Sequence, residues 1–105
     1  MDYKVTDNST EARFEYIDGT GLAVLTYHYF KGDLVLIHTE VPESMQGKGI
    51  SGVLASAALN YAAEQNLKII VHCPIVSKYV SRHPEFNHLI KADHSQNKTR
   101  DLPAK

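Results

Sequence analysis

The hydrophobic period of this chain first changes across the stretch VPESMQGKGISG (41–52). Upstream of it, apolar residues alternate as they do in strands. ARFEYID (12–18) alternates loosely around Phe14, Tyr16 and Ile17. LAVLTYHYF (22–30) is apolar on both alternating faces, with Leu22, Val24 and Phe30 on one and Ala23, Leu25, Tyr27 and Tyr29 on the other. That is the pattern of a strand covered on both sides. LVLIHTEV (34–41) is of the same kind, and DGTG (18–21) and KGD (31–33) supply the turns. The first half therefore predicts a three-stranded antiparallel meander.

Downstream, Ile50, Val53, Leu54, Ala57, Ala58 and Tyr61 follow the spacing of one helix face. Abundant alanine favours that helix, and Asn66 can end it. LKIIVHC (67–73) is a short apolar strand. A strand, a long helix and a strand with no hairpin turn predict a parallel crossover. Pro74 stops the strand, IVSKYVSR (75–82) reads as a short helix, and HPEF (83–86) breaks it. KADHSQNKTRDLPAK (91–105) reads as a polar, flexible tail. The expectation is one compact α+β domain over residues 1–105. It has a mixed sheet built from an antiparallel N-terminal meander and a βαβ crossover, with one long and one short C-terminal helix.

A chain of 105 residues, 43% of them hydrophobic, can bury one modest core. A net charge of −1 argues against a nucleic-acid partner. The single cysteine excludes an internal disulfide and points to a reduced compartment. MDYKVTDNST resembles neither a signal nor a transit peptide, and no apolar run is long enough to span a membrane. A soluble cytoplasmic domain without a membrane partner is expected, as a monomer or a weak homodimer. His28, His88 and His94 show no metal spacing, and one cysteine adds little, so no metal is expected.

The glycine stretch stands where a strand hands over to a helix. A helix start carries unpaired N–H groups and a partial positive charge. Small residues there let an anion approach the backbone, phosphate above all, and Lys48 adds a charge nearby. A plain loop with a flexible helix start fits the glycines equally well. Two phosphate motifs do not fit. A Walker A loop needs Ser or Thr after the lysine, and Lys48 is followed by Gly49. Gly47, Gly49 and Gly52 match the dinucleotide spacing, but they follow an antiparallel meander and leave only one crossover.

Gln46-Gly47-Lys48-Gly49-Ile50-Ser51 resembles the pyrophosphate loop of the GNAT superfamily, the acetyl-CoA-dependent N-acetyltransferases. The signature there is Gln or Arg, two residues, Gly, one residue, then Gly or Ala. Gln46 and Gly49 match, Ser51 departs, and Gly52 follows at once. Residues 34–73 cover the superfamily's central cofactor-binding unit. The chain is most similar to a short, compact subgroup carrying Cys-Pro after the crossover strand, here Cys73-Pro74. The resemblance implies a GNAT-like sheet whose strands splay on either side of the long helix. Pantetheine would lie in the wedge against Thr39, Glu40 and Val41. The pyrophosphate would rest on the amides of Gln46, Gly47, Lys48, Gly49, Ile50, Ser51 and Gly52. Larger superfamily members insert helices between the first two strands as an acceptor lid, and only DGTG stands there in this chain. The acceptor is an unidentified amine, small molecule or protein.

Acetyl transfer needs a neutral amine, a polarised thioester carbonyl and a proton for the departing thiolate. The resemblance implies a base near Glu40, which otherwise is a solvated strand-end carboxylate. Alternation puts Glu40 and His38 on one strand face, opposite Val35, Ile37, Thr39 and Val41. Cys73 ends the crossover strand just before a helix start, where a thiolate is favoured. It is either a nucleophile that carries the acetyl group, a thiol that orients it, or a small buried hydrophobe. His72 points to the opposite face, which leaves His83 or Glu40 as its possible partner. Tyr79, on the short helix, corresponds to the superfamily's general acid or packs as a ring. Two other functions compete. One is a CoA-binding module or sensor without catalysis. The other is a cysteine hydrolase, which lacks local signatures and length.

Overall fold

The computed structural model describes residues 4–91. Its five strands are β1 (Thr6–Asn8), β2 (Arg13–Asp18), β3 (Gly21–Phe30), β4 (Asp33–Glu40) and β5 (Ile69–Val71). They form one sheet in the order β1-β2-β3-β4-β5. The first four run antiparallel and β5 is parallel to β4. Helix α1 (Ile50–Glu64) makes the crossover, and α2 (Pro74–Ser81) follows β5. Short 3-10 segments lie at Glu43–Met45 and Pro84–Leu89. The expected mixed α+β fold is present. β1 and the 3-10 segment at 84–89 join it unforeseen, and the expected tail at 92–105 lies outside the described residues.

Local chemistry sets the element ends. Lys31 and Gly32, at φ 52° and 86°, form a two-residue turn whose left-handed residues suit the twist of the β3–β4 hairpin. Asn66 stops α1 in the left-handed region at φ 57°. There Leu67 N–H donates to the Ala62 carbonyl (2.8 Å) and Asn66 N–H to that of Ala63 (3.3 Å), which pairs the last carbonyls of the helix. Pro74 opens α2, where its missing N–H is not needed.

One irregularity in β4 decides what faces where. Tyr27 pairs with Leu36, but Thr26 pairs with His38, so Ile37 is an extra residue in the strand. A bulge of this kind reverses the alternation beyond it. Leu34 and Leu36 face the helices, and after the bulge so does Thr39. His38 and Glu40 therefore share Val35's face rather than opposing it, which corrects the strict alternation expected from sequence. They still oppose Thr39.

The core lies on one face of the sheet. Ile50, Leu54 and Leu59 of α1, Val76 of α2 and Leu89 pack in one cluster with Leu25, Leu34, Leu36 and Ile69. The opposite face was expected to be covered as well. Among the described residues no helix covers it, and Ile17, Leu22 and Phe30 remain 66%, 39% and 52% exposed. No helix among the described residues is long and apolar enough to cross a membrane.

Candidate active site

β4 stays paired with β3 as far as Glu40, opposite Val24. Its pairing with β5 ends earlier, at Leu36 with Val71, and His72 N–H adds one bond to the Leu36 carbonyl (2.9 Å). From the bulge onward the two strands part. The last residues of β4 thus present a backbone edge that β5 does not take up.

The glycine loop closes the other side of this opening. Gly47 and Gly49 are left-handed, at φ 81° and 75°, and Gly49 caps the start of α1. A side chain at either would meet open space, so conformation rather than room requires glycine. The Gln46 side-chain amide donates to the Val41 carbonyl (3.2 Å) and ties the loop to the strand end. The first ladder bond of α1 runs from Val53 N–H to the Gly49 carbonyl (3.1 Å). The amides of Ile50, Ser51 and Gly52 precede that ladder, and the first turn holds no acidic residue. Such a start suits an anion.

Strand end and loop enclose a cavity of about 410 Å³, lined by His38, Thr39, Glu40, Val41, Met45, Gln46, Gly47, Gly49, Ile50, Ser51 and Ile75. Eight of the ten residues expected at the cofactor line it. Lys48 is instead exposed on the loop, and Gly52 lines a neighbouring cavity. Lys48 is one of the charges that hold the Asp18 carboxyl below its usual range, behind the hydrogen bonds from Thr20. Met45 and Ile75 went unnoticed in the sequence. Both are apolar residues beside punctuation, and nothing in their spacing marks a wall.

Of the residues weighed for chemistry, Glu40 lines this cavity at the strand end. Cys73 is 1% exposed, and its sulfur shares a 3.2 Å hydrogen bond with the Thr39 hydroxyl. Thr39 thus links the cavity wall to the buried thiol. Tyr79 lines the neighbouring cavity, with its ring stacked on His83 at 4.0 Å and 20°. His83 lines that second cavity too, its Nδ1 3.6 Å from Glu85. His72 faces the far side of the sheet, beside His28, Phe30, Val35 and Ile70. Among the described residues no group of three His, Cys, Asp or Glu side chains is placed to hold a metal ion.

Residues 13–89 match the GCN5-related N-acetyl-transferase family, and the chain belongs to it. Among its relatives are the proteins NATD1 of Mus musculus and Homo sapiens, each 44% identical over 63 residues. That match covers 59% of this chain and 57% and 56% of theirs. Protein NATD1 of Danio rerio is 38% identical over 73 residues, 69% of this chain and 66% of its own. The matched region thus spans less than two thirds of these relatives. The NMR solution structure of a GCN5-like protein from Staphylococcus aureus superposes with a TM-score of 0.67 at 23% identity. It covers 92% of this chain and 97% of its own, and so shares the fold.

Proposed function

We propose that this chain binds acetyl-CoA across the parted strands and transfers the acetyl group to an amine. The observation that carries the reading is the single cavity formed by the unpaired end of β4 and the left-handed glycine start of α1. The pyrophosphate accepts from the amides around Gly47–Gly52, and pantetheine adds to the free β4 edge at His38–Val41. The amine nitrogen attacks the thioester carbonyl carbon and the C–S bond breaks. The amine proton passes to the Glu40 carboxylate, and the CoA thiolate leaves to be protonated by solvent. The burial of Cys73 and its bond to Thr39 support direct transfer, with the thiol holding Thr39 in place rather than attacking. Tyr79, stacked on His83 in the neighbouring cavity, is better suited to flanking the cofactor than to delivering a proton.

Titration with CoA and acetyl-CoA tests the binding. Micromolar affinity, about −8 kcal/mol, is expected, with NMR shifts at residues 38–41 and 46–52. No response at millimolar CoA refutes the reading. A non-catalytic CoA module is the second reading, favoured by the tight turn at Gly19–Thr20 that leaves no acceptor lid between β2 and β3. Binding without CoA release against a panel of small and peptide amines would select it.

A further inference from the structure

The second cavity has no part in the chemistry above. It measures about 460 Å³ and shares Ser51 and Ile75 with the first, Ser51 lying in the first turn of α1. From there it runs past Gly52 along α2 to Lys78, Tyr79, Arg82 and His83. Ile75, Lys78, Tyr79 and Arg82 recur at helical spacing, so α2 turns one face to this cavity while Val76 and Val80 bury the other. No acidic side chain lines it. Among the described residues neither Lys78 nor Arg82 forms an ion pair, and Glu85 pairs with His83 (3.6 Å). The floor is flat: the Tyr79 ring lies over Gly52, 3.5 Å from where a Cβ would stand, with His83 stacked on it.

Two cavities that share a residue at one anion-binding helix start call for a ligand with a pyrophosphate in its middle and an arm on each side. The first cavity opens on the unpaired strand edge, which suits the amide-rich pantetheine arm. The second offers an aromatic shelf and two cations without an ion pair among the described residues, which suit a purine and a dianion. We propose that Lys78 and Arg82 bind the 3′-phosphate of CoA, and that this chain thereby selects CoA over dephospho-CoA. Arginine offers a planar fork to phosphate oxygens and lysine a mobile point charge. The proposal rests on the reading that CoA's pyrophosphate lies at the start of α1.

Calorimetric titration of the full chain with CoA and with dephospho-CoA tests it. Dephospho-CoA should bind at least about tenfold more weakly, the loss of one charge-assisted contact. Lys78→Gln/Arg82→Gln should weaken CoA by a similar factor and leave dephospho-CoA within about threefold, erasing the difference. Both side chains are exposed, so the fold should tolerate the change. The charge-keeping pair Lys78→Arg/Arg82→Lys should retain the selectivity, whereas cations that merely complement the end of α2 would give no selectivity to retain. Equal affinity of the wild type for the two ligands overturns the proposal while leaving acetyl-CoA binding intact. Failure of both ligands to bind overturns the two readings together.

Discussion

Gly49→Val isolates what the glycine loop contributes. Gly49 sits at φ 75° and ψ 15°, and a Cβ built on it meets nothing within 4 Å. The substitution therefore meets no clash within the protein, and its effect on the unliganded fold is conformational. Holding an L residue left-handed costs about 1–2 kcal/mol, and a β-branched one stands at the upper end. That free energy can surface in two ways. If the loop keeps its conformation, the loss falls on stability, about 4–8 °C in Tm per kcal/mol for a domain of this size. If the loop relaxes, Tm holds and the amides must be reset when CoA binds, so affinity falls about tenfold for each 1.4 kcal/mol. The two losses should add to at least roughly the strain, with any excess due to the side chain obstructing the pyrophosphate. Thermal melts and CoA titration on the same sample measure both. Gly52→Ala is the control, since its Cβ would make ordinary contact with Tyr79 within a helix. It should raise stability by about 0.5–1 kcal/mol. A Gly49→Val protein with both Tm and affinity unchanged would refute the reasoning.

Three further outcomes are expected. Glu40→Gln should slow acetyl transfer by about 10²–10⁴-fold at unchanged CoA affinity, and a smaller effect would hand the proton to water. Cys73→Ala should keep turnover within a few fold, and mass spectrometry of wild type incubated with acetyl-CoA should find no acetyl-enzyme; a stoichiometric adduct at Cys73 would reverse the direct-transfer reading. Glu15 accepts from Arg13 (2.6 Å) and Asn8 (3.0 Å), and these bonds hold its carboxyl below the ordinary 4.5. Its contribution to stability is thus fully present above 4.5 and lost as pH falls through the lowered value. Melts from pH 7 to 2 should show wild type converging on Glu15→Gln at the acid end, and a constant gap would count against it.

The sequence carried the parts that depend on period and punctuation. The strands read at 12–18, 22–30 and 34–41, the helical face from Ile50 and the Gly-Lys-Gly junction lie within a residue of where the pattern puts them, though the bulge breaks the alternation of the third strand. β1 was invisible because Thr6–Asn8 has no apolar residue; it is held by pairing with β2 and by polar contacts such as Tyr27 to Asp7 (2.6 Å). The bulge was hidden inside Leu34-Val35-Leu36-Ile37, where four apolar residues in a row conceal an extra one. An apolar strand also reads the same whether its second face is covered or bare, which is why Leu22 and Phe30 misled. The second cavity was legible in principle, from Ile75, Lys78, Tyr79 and Arg82 at turns of one helix. It was passed over because only the apolar side of that helix reports on folding.

The bulge at Ile37 acts as a phase shifter. Before it, the even-numbered residues of β4 face the core; after it, the odd-numbered ones do. Such a device tolerates exchange of the side chain but depends on the extra residue staying out of the ladder. Pairing Ile37 in regular register would bring Glu40 inward and Thr39 out, severing the Cys73 contact without altering a single residue of the site, whereas deleting Ile37 would leave His38 opposite Thr26 and both facings as they are. In this fold the reading frame of a strand is as much a functional element as any side chain it carries.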